Sequence, residues 1–214
     1  MAIPSDARGA VARSAITLAA IGAVLAIVLY TTARFTNERI IRNEQTWIKQ
    51  HLYLLLQPGS YDNDVLTDTT VARSKDLLGT SAPTTIYRAR RGGQPVAAII
   101  HSVAPDGYRG PIELLIAIAW DGTLLGVRVV RHNETPGLGD AFETREADWL
   151  DAFAGLSLSN PPQQRWTVRR DGGDFDAFTG ATITPRAIVK TVRRSLEYFR
   201  AQRDRIFAAG EKQR

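Results

Sequence analysis

The chain has 214 residues, a formal net charge of +5 and 44% hydrophobic residues, which is typical of a folded protein with one sizeable core. It contains no cysteine, which excludes disulfides, thiolate-bound zinc, iron–sulfur clusters and covalently attached c-type haem. The basic residues that accumulate after residue 186 show no repeated interleaving with aromatic side chains. We therefore expect no nucleic-acid binding and interpret them as a solvated helix face near anionic lipid or an acidic partner.

An uncharged, largely apolar segment lies between Arg13 and Arg34. A helix over residues 14–33 has the length that crosses a hydrocarbon core about 30 Å thick. A cleaved signal peptide is the alternative, since a basic start and a Thr31-x-Ala33 ending fit one. The length of the apolar stretch and the helical pattern behind it favour a retained anchor. Basic residues on both sides leave its orientation undecided.

A helical pattern continues over residues 35–57, with apolar side chains near 3.6-residue spacing, and Pro58-Gly59 ends it. We interpret residues 34–59 as a juxtamembrane stalk that continues the anchor and packs on a domain formed by residues 60–210. Residues 1–13 and 211–214 are then short tails. Within the domain, the polar residues 61–70 predict a loop.

Two β-hairpins are predicted in the middle of the chain. The first joins strands 85–89 and 96–101 through an Arg-Arg-Gly-Gly-Gln turn, and the second joins strands 112–120 and 124–131 through Asp-Gly-Thr. Apolar residues occupy both alternating sets of positions in strand 112–120. We therefore expect both faces of that strand to be covered.

The second half predicts a glycine-rich loop at 132–140, a short helix at 146–153 and a strand at 166–170. A final helix is predicted to begin near Pro185, with Thr184 as its N-cap. Its predicted buried stripe consists of Ile188, Val189, Val192, Leu196 and Phe199. The whole predicts an α+β domain, a small antiparallel sheet with helices packed on it.

Residues 171–185, DGGDFDAFTGATITP, contain the strongest candidate site. Gly180 and Ala181 leave little bulk beside the Thr182 hydroxyl, so a large group can approach it. Thr179 and Thr184 add two more hydroxyls. The helix that follows offers N–H groups and a dipole that favour a phosphate. On these residues alone, a helix cap preceded by a turn is the simpler interpretation.

The loop from Glu134 to Gly139, with the sequence ETPGLG, is the second candidate. Its glycines allow the backbone to approach a planar ring, and Leu138 can cover an apolar face. A tight connection after a strand is the alternative.

The remaining aromatic and histidine residues give weaker signals. Tyr108 and Trp149 can stack on a ring, but core packing is the expected role of each. His132, a lone histidine at a strand end, is expected to be structural, and the spacing of the three histidines predicts no metal site.

Residues 176–182 match the flavinylation pattern Asp-x-x-[Ser/Thr]-Gly-Ala-Thr. Further matching features are the N-terminal anchor, the GYRGPI run at 107–112, the HNETPGLGD run at 132–140, Trp166 and the DGGDF run at 171–175. With these motifs the chain resembles the G-subunit family of Rnf ion-translocating oxidoreductase complexes. The related C subunit of sodium-pumping NADH:quinone reductase shares the ETPGLG loop but is usually longer.

The resemblance implies a domain that binds flavin mononucleotide (FMN) covalently, through an ester between the FMN phosphate and the Thr182 hydroxyl. A separate flavin transferase would install it from FAD. Transferase recognition would fall on Asp176, Thr179, Gly180, Ala181 and Thr182. For Asp176, capping the turn with its carboxylate is an equal alternative. The residues implied to lie by the flavin are Glu134, Thr135, Leu138, Gly139, Thr179, Gly180, Ala181 and Thr184.

The resemblance further implies electron transfer between ferredoxin and NAD⁺, coupled to sodium or proton movement. Partners would be other membrane, iron–sulfur and flavin subunits, the transferase during maturation, and membrane lipid. The location would be the bacterial inner membrane, with one span and a periplasmic C-terminal domain. The isolated chain would have no turnover and would act only as an electron-transfer subunit. The alternatives are a membrane-tethered binding module or assembly factor, and a flavin reductase, which lacks its expected Gly-x-Gly-x-x-Gly motif.

Overall fold

The structure is a computed structural model. It describes residues 13, 15–32, 34, 51–144 and 147–208, and gives no side-chain description for residues 143, 144, 147 and 148. The chain divides into two compact units, Met1–Ile48 and Lys49–Arg214. Most of the predicted stalk, and both predicted tails apart from residue 13, lie outside the described residues.

The first unit contains helix α1, Ala15–Thr32. By length and composition this helix can cross a membrane, since its mean hydropathy is 2.1. None of its residues is buried. This confirms the predicted N-terminal apolar helix. The outermost residues of the predicted span, 14 and 33, lie outside the described residues.

The second unit is built on a five-stranded antiparallel sheet whose strands lie in chain order. The strands are β1 Thr69–Ser74, β2 Thr80–Arg91, β3 Gln94–Ala104, β4 Ile112–Ala119 and β5 Leu124–Arg131. A single turn of helix, α2 Lys75–Leu78, connects β1 to β2. Both predicted hairpins are confirmed as β2–β3 and β4–β5. The predicted loop 61–70 was wrong at its end, because Thr69 and Thr70 already pair with β2.

The first hairpin is longer than predicted because its turn is shorter. Gly92 and Gly93 have φ values of 55° and 78°, and Arg91 pairs directly with Gln94. A two-residue turn with positive φ at both positions matches the twist of the flanking strands. The residues on either side of the two glycines therefore belong to the strands.

One face of the sheet forms the main core. Ile86, Ile100, Ile116 and Val127 are cross-strand neighbours in one row, and all are fully buried. The long helix α5, Ile183–Phe207, packs across β3 and β4 on this face. All five residues of its predicted stripe are buried. Burying each such side chain contributes about 1.5–3 kcal/mol, so this packing fixes α5 to the sheet.

The opposite face is covered as well. Ile99, Leu115 and Ala117 alternate with the core row and are also buried. Residues 51–55 are helical, and Leu55 lies so close to β5 that a Cβ on Gly126 would be 2.9 Å from its Cδ2. The prediction that both faces of strand β4 are covered is therefore confirmed.

The predicted strand at 166–170 was wrong. Residues Gln163–Arg165 and Arg169–Asp171 are short 3₁₀ turns, and Val168 forms only an isolated bridge with Phe175. The alternation that suggested a strand arises because Trp166 and Val168 are both buried, and Trp166 belongs to an aromatic cluster. Phe153, Trp166 and Phe175 pack together there, with ring centroids 4.9–6.4 Å apart.

Two helix boundaries also differ from the predictions. In place of one helix at 146–153 there are two short helices, α3 Ala141–Thr144 and α4 Ala147–Asp151, and Glu146 lies outside the described residues. Helix α5 begins at Ile183 with Thr182 as its N-cap, so the predicted N-cap Thr184 was wrong. The Thr184 hydroxyl is instead buried and donates to the carboxylate of Glu134.

The C-terminal end of α5 is held by two arginines of β2. Arg88 donates to the carbonyl oxygens of residues 206 and 208, at 3.2 and 3.3 Å, and Arg90 donates to that of Phe207 at 3.0 Å. Both guanidinium groups also pair with the Asp68 carboxylate, at 2.5 and 2.9 Å. The last carbonyl groups of a helix have no partner within it, so these arginines satisfy them.

Candidate functional site

The site is a surface pocket with a volume of about 180 Å³ where three loops meet. Its lining consists of Tyr108, Glu134, Thr135, Leu138, Gly139, Gly180, Ala181, Thr182, Ile183 and Thr184. The fold thus brings together the two candidate segments, which are far apart in sequence. Of the residues that sequence analysis placed beside the flavin or at its attachment, Thr179 alone is absent from the lining. Tyr108 and Ile183 line the pocket without having been predicted to do so.

The ETPGLG loop forms one wall. The N–H groups of Leu138 and Gly139 donate to the Thr135 carbonyl oxygen, at 3.1 and 3.0 Å. Gly137 has a φ of 77°, and its N–H donates to the Asp140 carboxylate at 2.6 Å. A turn with a proline followed by a residue of positive φ has the features of type II geometry. The turn leaves the Leu138 side chain 48% exposed at the pocket.

A second turn, residues 178–181, forms the facing wall. The Ala181 N–H donates to the Phe178 carbonyl oxygen at 3.0 Å, and Gly180 adopts a φ of 83°. Phe178 is buried against Trp149, with ring centroids 5.0 Å apart, and the Trp149 indole N–H donates to the Asp176 carbonyl oxygen at 3.0 Å. The aromatic core therefore fixes the start of the turn, and the expectation that Trp149 packs in the core is confirmed.

Thr182 lies between this turn and α5. It is half-buried, and its side chain makes no capping hydrogen bond to the helix. The first N–H groups of a helix have no acceptor within it, which applies to those of Ile183 and Thr184, the two residues after Thr182, whereas Pro185 has no N–H. Thr182 is thus next in sequence to these donors, at the positive end of a 25-residue helix.

Glu134 connects the three loops beneath the pocket. Its side chain is 4% exposed. Oε1 accepts the Arg109 N–H at 3.0 Å, and Oε2 accepts the Thr184 hydroxyl. A Cβ on Gly139 would lie 2.8 Å from Oε2, so only glycine lets the loop backbone pass this close. The sequence indicated Glu134 as a pocket residue but gave no sign of this connection.

Tyr108 is the clearest correction among the candidates. Core packing was wrong for this residue, because its side chain is 67% exposed. A Cβ on Gly107 would lie 2.2 Å from the Gly110 carbonyl oxygen, so Tyr108 follows a glycine in a tight turn at the surface. Ile183, 43% exposed, was missed because the helix start was predicted too late.

The remaining predicted residues lie around the pocket. Asp176 and Thr179 are exposed, and the Asp176 carboxylate pairs with Arg169 at 3.0 Å. His132 has a structural contact, as expected, because its Nδ1 accepts the Glu134 N–H at 3.1 Å.

Two ion pairs attach the first turns of α5 to neighbouring loops. Arg186 makes two hydrogen bonds to Asp171, at 2.6 and 2.9 Å, and these hydrogen bonds lower the pKa of Asp171. Lys190 donates to Asp106 at 2.5 Å, which lowers the pKa of that carboxyl group too. The helix start is therefore held from two sides.

The sequence is similar to those of known proteins. Residues 107–197, which include every residue of the pocket lining, match the family described as "FMN-binding domain". The G subunit of the ion-translocating oxidoreductase complex of Pseudomonas aeruginosa (strain UCBPP-PA14) is 43% identical over 204 residues, or 95% of each chain. That of Pseudoalteromonas atlantica is 41% identical over 93% of each chain. A solved structure, Shewanella oneidensis NqrC, is 22% identical, covers 69% of this chain and 76% of its own, and has a TM-score of 0.46. The chain belongs to the G-subunit family of Rnf-type ion-translocating oxidoreductase complexes.

The pocket fits FMN in two respects. A hydroxyl and the N–H groups of a helix start suit the phosphate end, and the exposed apolar parts of Tyr108, Leu138 and Ile183 suit the isoalloxazine ring. The volume of about 180 Å³ is below the roughly 300 Å³ that usually encloses a ligand of this size. The pocket alone is therefore too small to enclose FMN completely.

Proposed function

We propose that this chain is a membrane-anchored electron carrier with FMN esterified through its phosphate to Thr182. The observation that carries the proposal is the position of the Thr182 hydroxyl. It is at the N-terminus of α5, within a pocket formed by both candidate segments, and it makes no capping bond that attachment would break. The neighbouring Thr184 hydroxyl is buried and bonded to Glu134, and Thr179 lies outside the lining.

The attachment is a phosphoryl-group exchange that needs FAD and a separate flavin transferase. The Thr182 oxygen forms a new bond to the FMN phosphorus, the phosphoanhydride bond of FAD breaks, AMP leaves, and the hydroxyl proton is released. The exposed side chains of Asp176 and Thr179, with Gly180 and Ala181, supply a surface for the transferase. This chain provides the acceptor oxygen and no catalytic group.

Once bound, FMN supplies one- and two-electron redox chemistry. The chain's own residues hold the ring and leave part of it outside the pocket, which suits exchange with neighbouring carriers. A covalent ester also prevents loss of the cofactor in any oxidation state. The names of the relatives support a place in a complex that couples electron transfer to ion movement, and we propose ferredoxin and NAD⁺ as the overall electron donor and acceptor.

For topology we propose residues 1–13 in the cytoplasm, residues 14–33 across the inner membrane, and residues 34–59 as the stalk. Residues 60–210 form the periplasmic FMN-binding domain, and residues 211–214 form a tail. The apolar helix α1 supports this arrangement. An export-dependent reporter fused after Arg214 should be active. Activity of a reporter that works only in the cytoplasm would contradict the orientation.

Mass spectrometry of the full chain, co-expressed with a flavin transferase, tests the attachment. We expect the added mass of FMN on the peptide containing Thr182, and flavin fluorescence that survives denaturing electrophoresis. The Thr182→Val variant should lose both signals. An unmodified wild-type chain from cells that flavinylate another acceptor would overturn the proposal and leave a binding module or assembly factor.

A further inference from the structure

Glu134 is the one carboxylate in the pocket lining, and both its oxygen atoms are used as hydrogen-bond acceptors. Its donors are a backbone N–H and a hydroxyl. Among the residues that the structure describes, no Lys, Arg or His side chain forms an ion pair with it. Its hydrogen-bond donors are therefore neutral, and no cationic side chain in the described part of the chain pairs with its charge.

The N-terminus of α5 explains how a buried carboxylate is tolerated there. The helix has 25 residues and no acidic residue in its first turn, so its positive end lacks a negative side chain of its own. Glu134 supplies that charge through Thr184, which is in the first turn. Charge-assisted hydrogen bonds of this kind are about twice as strong as neutral ones.

A fixed negative charge beneath the pocket has a consequence for any redox group held above it. Reduction adds negative charge to the flavin, and a nearby buried anion opposes that change more strongly than it would in water. We propose that Glu134 is a positioning residue that lowers the reduction potential of the flavin while it joins the pocket walls. This inference rests on the proposed function, since it requires FMN at Thr182.

The test uses the full chain, loaded by a co-expressed flavin transferase and purified in detergent. Glu134→Gln keeps the shape of the side chain and can still accept the Arg109 N–H, but it removes the charge. We expect the Glu134→Gln chains that carry FMN on Thr182 to have a higher midpoint potential than the loaded wild type, in a titration followed by visible absorption. A tenfold change in the one-electron equilibrium corresponds to about 59 mV.

Glu197→Gln is the matched control, because it removes the same charge about 20 Å along α5 from Thr184 at 1.5 Å rise per residue. It should leave the potential unchanged. Glu134→Asp retains the charge and should keep the potential closer to the wild-type value than Glu134→Gln does.

Three results are informative. A loaded Glu134→Gln chain with a raised potential supports the inference, and a loaded one with the wild-type potential overturns it. If Glu134→Gln is not loaded while the wild type is, Glu134 acts in attachment, and the inference is also overturned. An unloaded wild-type chain is a different failure, because it contradicts the proposed function itself.

Discussion

Leu138 and Gly180 face each other across the pocket. A Cβ placed on Gly180 would lie 3.5 Å from Leu138 Cδ2, which is ordinary van der Waals contact. The two turns that carry these residues both have a glycine with positive φ, Gly137 and Gly180. One wall of the pocket therefore contributes the apolar side chain of Leu138, and the other contributes the backbone of Gly180, which has no side chain. Thr182 lies two residues after Gly180 in the sequence.

Replacing Gly180 with alanine should affect both stability and attachment. The limitation is conformational, because space is available but the φ of 83° is unfavourable for a residue with a Cβ. We expect a loss of about 1–2 kcal/mol in the free energy of unfolding and a smaller fraction of chains that carry FMN. Chemical denaturation and intact mass measure the two effects. Gly122→Ala, with a φ of 93° in the β4–β5 turn and nothing within 4 Å, is the matched control. Equal FMN loading in both variants would show that the 178–181 turn has no role in attachment.

Replacement of Thr182 by serine should retain part of the FMN, since the hydroxyl survives, whereas Thr182→Val should retain none. Equal loss in the serine and valine variants would mean that side-chain shape limits attachment.

Thr184→Val tests whether the neighbouring threonine can be the attachment residue instead. It should lower stability by about 1.5–3 kcal/mol, because a hydrogen bond to a charged buried group is removed, yet FMN should remain on Thr182. Peptide mass spectrometry reads the position, and FMN on a residue other than 182 would contradict the assignment.

Leu138→Ala should expose the isoalloxazine ring of the bound FMN to solvent. The free energy of unfolding should change little, since the Leu138 side chain is half-exposed. We expect stronger quenching of flavin fluorescence by iodide than in the wild type. Leu125→Ala is the control, because Leu125 is 39% exposed on β5 and does not line the pocket. Similar quenching in the two variants would show that Leu138 does not cover the flavin.

The motifs located the pocket from sequence because their glycines are required by local geometry. Gly180 has a positive φ, and Gly139 has no room for a Cβ. Glycine is therefore required at both positions, and the two motifs can be recognised from the sequence alone. The β4–β5 hairpin was equally predictable, since Asp-Gly marks a turn between two apolar strands.

The connections that only the tertiary structure creates could not be predicted. Thr184 looks like a helix N-cap, but its hydroxyl is used by Glu134, fifty residues earlier in the chain, and the helix begins before it. The 166–170 segment alternates like a strand because Trp166 and Val168 are buried, although among the described residues Val168 forms only an isolated bridge, with Phe175. Tyr108 is aromatic and was expected in the core, yet it lies beside the tight turn at Gly107 and its side chain is exposed.

Low pH should weaken the two ion pairs that hold the start of α5 and so destabilise the domain. The pKa values of Asp171 and Asp106 are lowered by their hydrogen bonds to Arg186 and Lys190. A carboxyl group with a lowered pKa contributes stability that is present above its ordinary pKa of about 3.9 and is lost as the pH falls through the lower, folded-state value. Thermal unfolding between pH 5 and about 3 should therefore show a smaller fall in Tm for the Asp171→Asn, Asp106→Asn double variant than for the wild type. Both pairs are exposed, so the difference should shrink at about 1 M salt, and an equal fall in both proteins would contradict this account.

Arg88→Met should destabilise the domain, because Arg88 binds the carbonyl groups at the C-terminal end of α5. The Arg88 side chain is only 9% exposed, and it binds both the Asp68 carboxylate and the last carbonyl groups of the helix. Its removal leaves Asp68 with the Arg90 ion pair and the Asn63 hydrogen bond, and it takes the Arg88 donor away from helix carbonyl oxygens. We therefore expect a loss of about 3 kcal/mol in the free energy of unfolding. Arg91→Met removes the same charge from an exposed position three residues along the strand and should change stability by less than about 0.5 kcal/mol. Because Arg88 is at the opposite end of α5 from Thr182, FMN loading per folded chain should be unchanged in Arg88→Met. A loss of loading without a loss of stability would mean that Arg88 acts on the pocket through the helix.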